Sequence, residues 1–147
     1  MKPIIKGIDH VVINVSNMAK SCQWYETMLG MKAHIFTSPS DPSKKRYALH
    51  FGDQKINLHE TGGDKVIPIA QHPQLGSTDL CLWTDQPVQS ILEHWQQHHH
   101  QFSSEGPLVL ENHLSVVKRT GATGELTSIY IYDLDGNLIE VANRTNG

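Results

Sequence analysis

A chain of 147 residues with 38% hydrophobic and 18% charged residues carries enough apolar side chains to bury a core and too little charge to stay disordered. Its net charge of -3 leaves no dense Lys/Arg footprint for neutralising phosphates, which excludes nucleic acid as a partner. No run approaches the ~18 apolar residues of a membrane span and "MKPIIKGID" lacks a signal-peptide core, so the expectation is a cytoplasmic protein with no membrane partner.

The first element in chain order is "IDHVVINV", a strand in which β-branched residues alternate and into which His10 intrudes. Ser16-Asn17 then cap a helix, because their side-chain oxygens accept the orphan N–H groups of a first turn. Met18, Cys22, Tyr25 and Met28-Leu29 recur at helical spacing, and Gly30 suits the left-handed residue that ends a helix. "KAHIFT" reads as a strand, "SPSDPSKK" as a polar loop broken by two prolines, and "RYALHF" with "KINLHE" as a hairpin around "GDQ".

After the linker "TGGDKVIPIAQHPQLG" the order restarts. "STDLCLWT" is a strand, Asp85 and Pro87 suit a helix cap and a first helical position, and Val88, Ile91, Leu92 and Trp95 form an apolar stripe. "HQFSSE" leads out, and "TSIYIYD" with "NLIEVAN" makes a second hairpin around "LDG", where Gly136 fits a turn needing positive φ. Cys22 and Cys81 have no CxxC spacing and read as buried reduced thiols. The consecutive His98, His99 and His100 point in different directions on a helix and suit its C-terminal end better than a shared ligand.

Strand, helix, strand, strand, strand thus occurs twice, with module one at about 4–61, a linker at about 62–75 and module two at about 76–144. Superposing the modules lays His10 on Asp79. Glu140 sits between Ile139 and Val141 on the last strand, and Asn57 and His59 share one face of "KINLHE"; period 2 alone cannot choose between them as the partner of Glu140. An unpaired charge inside a sheet costs several kcal/mol, so carboxylates at these places need exposure, a partner or a cation. Singly each is unremarkable; at repeat-related positions they suggest one site for a divalent ion.

The stretches "GIDHVVINVSNMAKSCQWYETMLGM", "ALHFGDQKINLHE" and "SIYIYDLDGNLIEVAN" resemble the vicinal oxygen chelate superfamily, which includes glyoxalase I, bleomycin-resistance proteins, fosfomycin-resistance enzymes and extradiol dioxygenases. "HPQLGSTDLCL" and "RTGATG" look most like glyoxalase-domain-containing protein 5-like members. The resemblance implies an α+β fold of two βαβββ modules forming an eight-stranded, incompletely closed barrel, a single glyoxalase-like domain, and a homodimer. It further implies a divalent metal (Zn, Ni, Mn or Fe) held by His10, Asp79, Glu140 and, in preference to Asn57, His59, with Glu140 also moving a proton. The expected activity is a glyoxalase-like lyase or isomerase acting on a small substrate through adjacent oxygens; the alternatives are a ligand-binding resistance protein, a dioxygenase or a thiol transferase. "VVKRTGATGELTS" is expected to be a loop closing over the site on Gly121 and Gly124, with Arg119 as an anchor for a substrate carboxylate. Tyr130 and Tyr132, on one face of their strand, and Asn57 complete the candidate substrate-binding residues. "ENHLSV" reads as extra loop relative to the resembling proteins.

Overall fold

The computed structural model describes residues 1–64, 66–102 and 116–145; "ENHLSV" up to Ser115 and the end of "HQFSSE" lie outside them. The chain divides into two compact units, Met1–Pro73 and Gln74–Gly147, and each holds one copy of the repeat. Unit 1 contains β1 (His10–Val15), α1 (Met18–Leu29), β2 (Lys32–Ser38), β3 (Asp41–Phe51) and β4 (Gln54–Glu60). Unit 2 contains β5 (Asp79–Trp83), α2 (Val88–His98), β6 (Val117–Gly121), β7 (Gly124–Tyr132) and β8 (Leu138–Arg144). Each unit builds one open four-stranded mixed sheet, ordered β1-β4-β3-β2 and β5-β8-β7-β6. The architecture is the expected α+β pair of modules. Among the described residues no helix is long and apolar enough to cross a membrane.

In both units the first and last strands run parallel as neighbours, His10 beside Lys55 and Asp79 beside Leu138, while the remaining pairs are antiparallel. The crossover between parallel strands needs a helix's length of chain, which α1 and α2 supply. One face of each sheet is the core. Ile13, Val15, Ile56 and Leu58 are buried with Trp24, Tyr25 and Met28 of α1; Ile129, Ile131, Ile139 and Val141 are buried with Val88, Leu92 and Trp95 of α2. The buried side of α1 is centred on Ser21, Trp24, Tyr25 and Met28, so the stripe read through Met18, Cys22 and Leu29 lay partly off the true face.

Asn17 caps α1 as expected, its Oδ1 accepting from Lys20 N at 3.0 Å, and Gly30 ends the helix at φ 64°, where a Cβ would be strained. α2 departs from expectation. It is preceded by Pro87, which offers no side-chain cap; Asn143 of β8 accepts from Val88 N at 3.1 Å and donates through Nδ2 to Thr84 O and Gln86 O, both at 2.8 Å. In unit 1 the corresponding bond is made by Glu60 at the end of β4, whose Oε2 accepts from Met18 N at 2.6 Å.

Two segments read as loops are strands. β3 begins at Asp41 inside "SPSDPSKK", and Val117–Gly121 forms β6. Pairing of β3 with β2 and of β6 with β7 supplies hydrogen bonds that the local sequence does not advertise. Cys22 is half-buried and Cys81 exposed, both as free thiols, which corrects the buried reading of Cys81.

The β7–β8 turn is built on buried polar groups. Asp133 and Asn137 are 2% and 0% exposed; Asn137 donates from N and Nδ2 to the two Asp133 carboxylate oxygens at 2.9 and 2.8 Å and accepts from Thr78 N at 3.0 Å. Gly76 lies against this turn so closely that a Cβ there would come within 2.8 Å of Asp135 O.

Candidate functional site

Residues opposite the buried alternation form a second face on each sheet, and all the candidate residues lie on these faces. In unit 1, β1 contributes His10, Val12 and Asn14; the parallel register sets them beside Lys55, Asn57 and His59 of β4. Ala48 pairs with Asn57 and His34 with Ala48, so β3 and β2 continue the same face. His10 Nδ1 lies 2.8 Å from Asp9 Oδ1. A carboxylate there fixes the imidazole tautomer and turns the Nε2 lone pair outward, as metal-binding histidines require.

The register resolves what periodicity left open. Asp79 is beside Leu138, so Glu140 is one step of two residues further along β8; His10 is beside Lys55, so the same step along β4 reaches Asn57. Asn57 is therefore the module-one counterpart of Glu140, and His59, the preferred residue from the sequence, corresponds to Ala142. Asn57 Oδ1 and His59 Nδ1 are both buried without a hydrogen-bond partner among the described residues. Such orphaned polar atoms are rare because each forfeits the hydration it had in the unfolded chain. Burial, with the Arg46 charge adding to it, pushes the His59 imidazole down and favours its neutral form.

In unit 2, Glu140 is the hub of the corresponding face. Cys81 of β5 and Tyr130 of β7 are its register neighbours, and fully buried Ser128 donates to Glu140 Oε2 at 2.7 Å. Arg119 lies on β6 rather than in a closing loop; its Nε donates to the Tyr130 hydroxyl at 2.9 Å and Nη1 to Lys118 O at 3.1 Å. Its guanidinium is thus partly engaged before any substrate arrives. Burial, followed by the Glu140 charge, pushes the Tyr130 phenol up despite the opposing bond from Arg119, so it stays protonated. Tyr132 shares its face and lies beside Leu138.

Ser128 was not singled out from the sequence and Cys81 was read only as a buried thiol, although each shows the signal used for others: Ser128, Tyr130 and Tyr132 have period 2, as do Asp79, Cys81 and Trp83. Desolvation, then the Glu140 charge and a hydrogen bond to it, pushes the Cys81 thiol up to about 11. The thiolate is then scarce at pH 8. Iodoacetamide should accordingly modify Cys81 far more slowly than a free cysteine at that pH, as read by peptide mass spectrometry, and Glu140→Gln should speed it. Alkylation of Cys81 at the rate of a free thiol would contradict the assigned surroundings.

The histidine string stands apart. His98 and His99 direct Nδ1 to His94 O and Gln96 O, each at 2.9 Å, at the end of α2. Among the described residues no three His, Cys, Asp or Glu side chains are grouped so as to hold a metal ion; the four ligands expected from the sequence are described as two pairs, one on each unit's sheet.

The model of the glyoxalase/bleomycin resistance protein/dioxygenase superfamily matches residues 7–141. A virulence protein of Salmonella typhimurium is 42% identical over 139 residues, 95% of this chain and 85% of that protein. Its crystal structure superposes with a TM-score of 0.79 over 97% of this chain and 100% of that one, at 38% identity. A glyoxalase domain-containing protein of Mycosarcoma maydis is 40% identical over 139 residues, 95% of this chain and 69% of that protein. At 16% identity the fold alone is shared with a fosfomycin resistance protein of Listeria monocytogenes complexed with Mn(II), TM-score 0.56, covering 97% of this chain and 96% of that one.

Proposed function

The chain belongs to the glyoxalase/bleomycin resistance protein/dioxygenase superfamily, and from that membership we propose that it is a divalent-metal-dependent lyase or isomerase of the glyoxalase kind. The observation that carries the reading is the buried, unpartnered Oδ1 of Asn57, an acceptor at the repeat-related counterpart of Glu140 and on the face of His10. Together with His10, Asp79 and Glu140, the ligands expected from the resemblance, it would give a donor set of one imidazole nitrogen and three oxygens, which would suit Mn²⁺ or Fe²⁺ better than the softer preferences of Zn²⁺. A bound ion would supply Lewis acidity to two adjacent substrate oxygens.

The protein's own groups do the rest. Glu140 accepts the proton α to the substrate carbonyl, and the Ser128 hydroxyl on Oε2 holds the carboxylate in one orientation. Asp9 orients His10, and Arg119 orients the protonated Tyr130 beside Glu140.

Untagged protein reconstituted with Mn²⁺, Fe²⁺, Ni²⁺ or Zn²⁺ should retain about one ion per chain by elemental analysis, as a metal site with open coordination positions requires. His10→Ala and Asn57→Leu should each lower that content, and a triple replacement of His98, His99 and His100 should not. A chain that retains no metal under any of these conditions would sink the proposal. A second reading, a small-ligand binding protein of the bleomycin-resistance kind, is favoured by the uncharged amide at position 57; ligand binding without metal uptake would select it.

A further inference from the structure

Unit 1 contains a cleft of about 410 Å³ whose lining includes Lys45, Arg46, Tyr47, His59, Glu60 and Asp64. Its cations are unspent. Neither the Arg46 guanidinium nor the Lys45 ammonium has a hydrogen bond or ion pair among the described residues, and His59 Nδ1 is buried without a partner. Two carboxylates share the lining, Glu60, whose Oε2 accepts from Met18 N at 2.6 Å, and Asp64 on the exposed rim. The first turn of α1 adds no anion site, since Lys20 N is taken by Asn17 and Met18 N by Glu60.

We infer that this cleft binds the phosphoryl or carboxylate group of a small anionic ligand, with Arg46 as the bidentate anchor, Lys45 at the mouth and the His59 Nδ1–H as a third donor. A guanidinium matches the two oxygens of such a group in one plane. His59 lies two residues beyond Asn57 on the same face of β4, a spacing of ~7 Å along a strand. This names the substrate class for the reading under Proposed function and in that respect rests on it: small oxyacids or their phosphoesters, rather than neutral diketones. It also moves the anion anchor from Arg119, which is engaged with Tyr130, to Arg46.

The test titrates the metal-free full-length chain with phosphoglycolate by calorimetry. Saturable binding is expected, weakened about tenfold or more by Arg46→Gln and less by Lys45→Gln, the loss of one charge-assisted pair, while Lys118→Gln on β6 leaves it unchanged. Absence of saturable binding at millimolar ligand, or affinity indifferent to Arg46→Gln in a variant that melts like the parent, would overturn the assignment. Metal content is measured on the same samples. Arg46-dependent binding by a chain that takes up no metal upholds the anion cleft and removes the metal reading; metal uptake without phosphoglycolate binding does the reverse.

Discussion

Replacing Glu140 by glutamine is expected to lower the rate of α-proton exchange by two to four orders of magnitude, roughly the contribution of a positioned general base. Exchange is read as deuterium wash-in next to the carbonyl of a hydroxyacid or hydroxyketone substrate on metal-loaded protein. Glutamine keeps the volume and still offers an oxygen to the Ser128 hydroxyl that now bonds Oε2 at 2.7 Å, so the thermal midpoint should barely move. The amide cannot accept the proton and is a weaker ligand, and these two losses separate on measurement. Exchange that stays low when the metal content is restored at high ion concentration identifies the base; exchange that recovers with the metal identifies a ligand only. Exchange within tenfold of the parent would remove Glu140 from the chemistry.

Asn137→Ala should be the most damaging single change outside the core, at about 3–5 kcal/mol. It removes one N–H donor from the Asp133 carboxylate, which is 2% exposed, and strips Thr78 N of its acceptor. A hydrogen bond to a carboxylate is worth about 1.5–3 kcal/mol, and a half-buried N–H stripped of its acceptor costs about 1–3. For a chain of this length the thermal midpoint should fall by about 10 °C or more, and urea unfolding should show a lower midpoint at unchanged slope. A loss under about 1 kcal/mol would mean that water replaces the missing donor at no cost.

What the sequence disclosed depended on whether a residue's partners are near it in the chain. β1, β4 and β8 were legible because β-branched residues alternate along them, and the start of α1 because Asn17 caps a turn three residues away. β6 and the first half of β3 were not: "VKRTG" and "DPSKK" alternate in nothing, and their strand character comes from pairing with β7 and β2. The cap of α2 was illegible for the same reason, since Asn143 lies on another strand, and Asp85 was a plausible local substitute. At the site, faces were readable but register was not. Period 2 placed Asn57 and His59 together; only the pairing of His10 with Lys55 and Asp79 with Leu138 aligns Asn57 with Glu140.

The bonds from Glu60 to Met18 N and from Asn143 to Val88 N carry a consequence for folding order. In each module the last strand made is the one that supplies an acceptor to the first turn of the module's α-helix. Helix nucleation is the costly step of helix formation, so α1 and α2 gain that support only when β4 or β8 has docked beside the first strand. Each half of the chain should therefore assemble as one cooperative unit, with no long-lived species in which the helix is firm and the closing strand is absent. A ribosome-bound chain ending before Asn143 would carry a complete first module and an α2 still short of its cap.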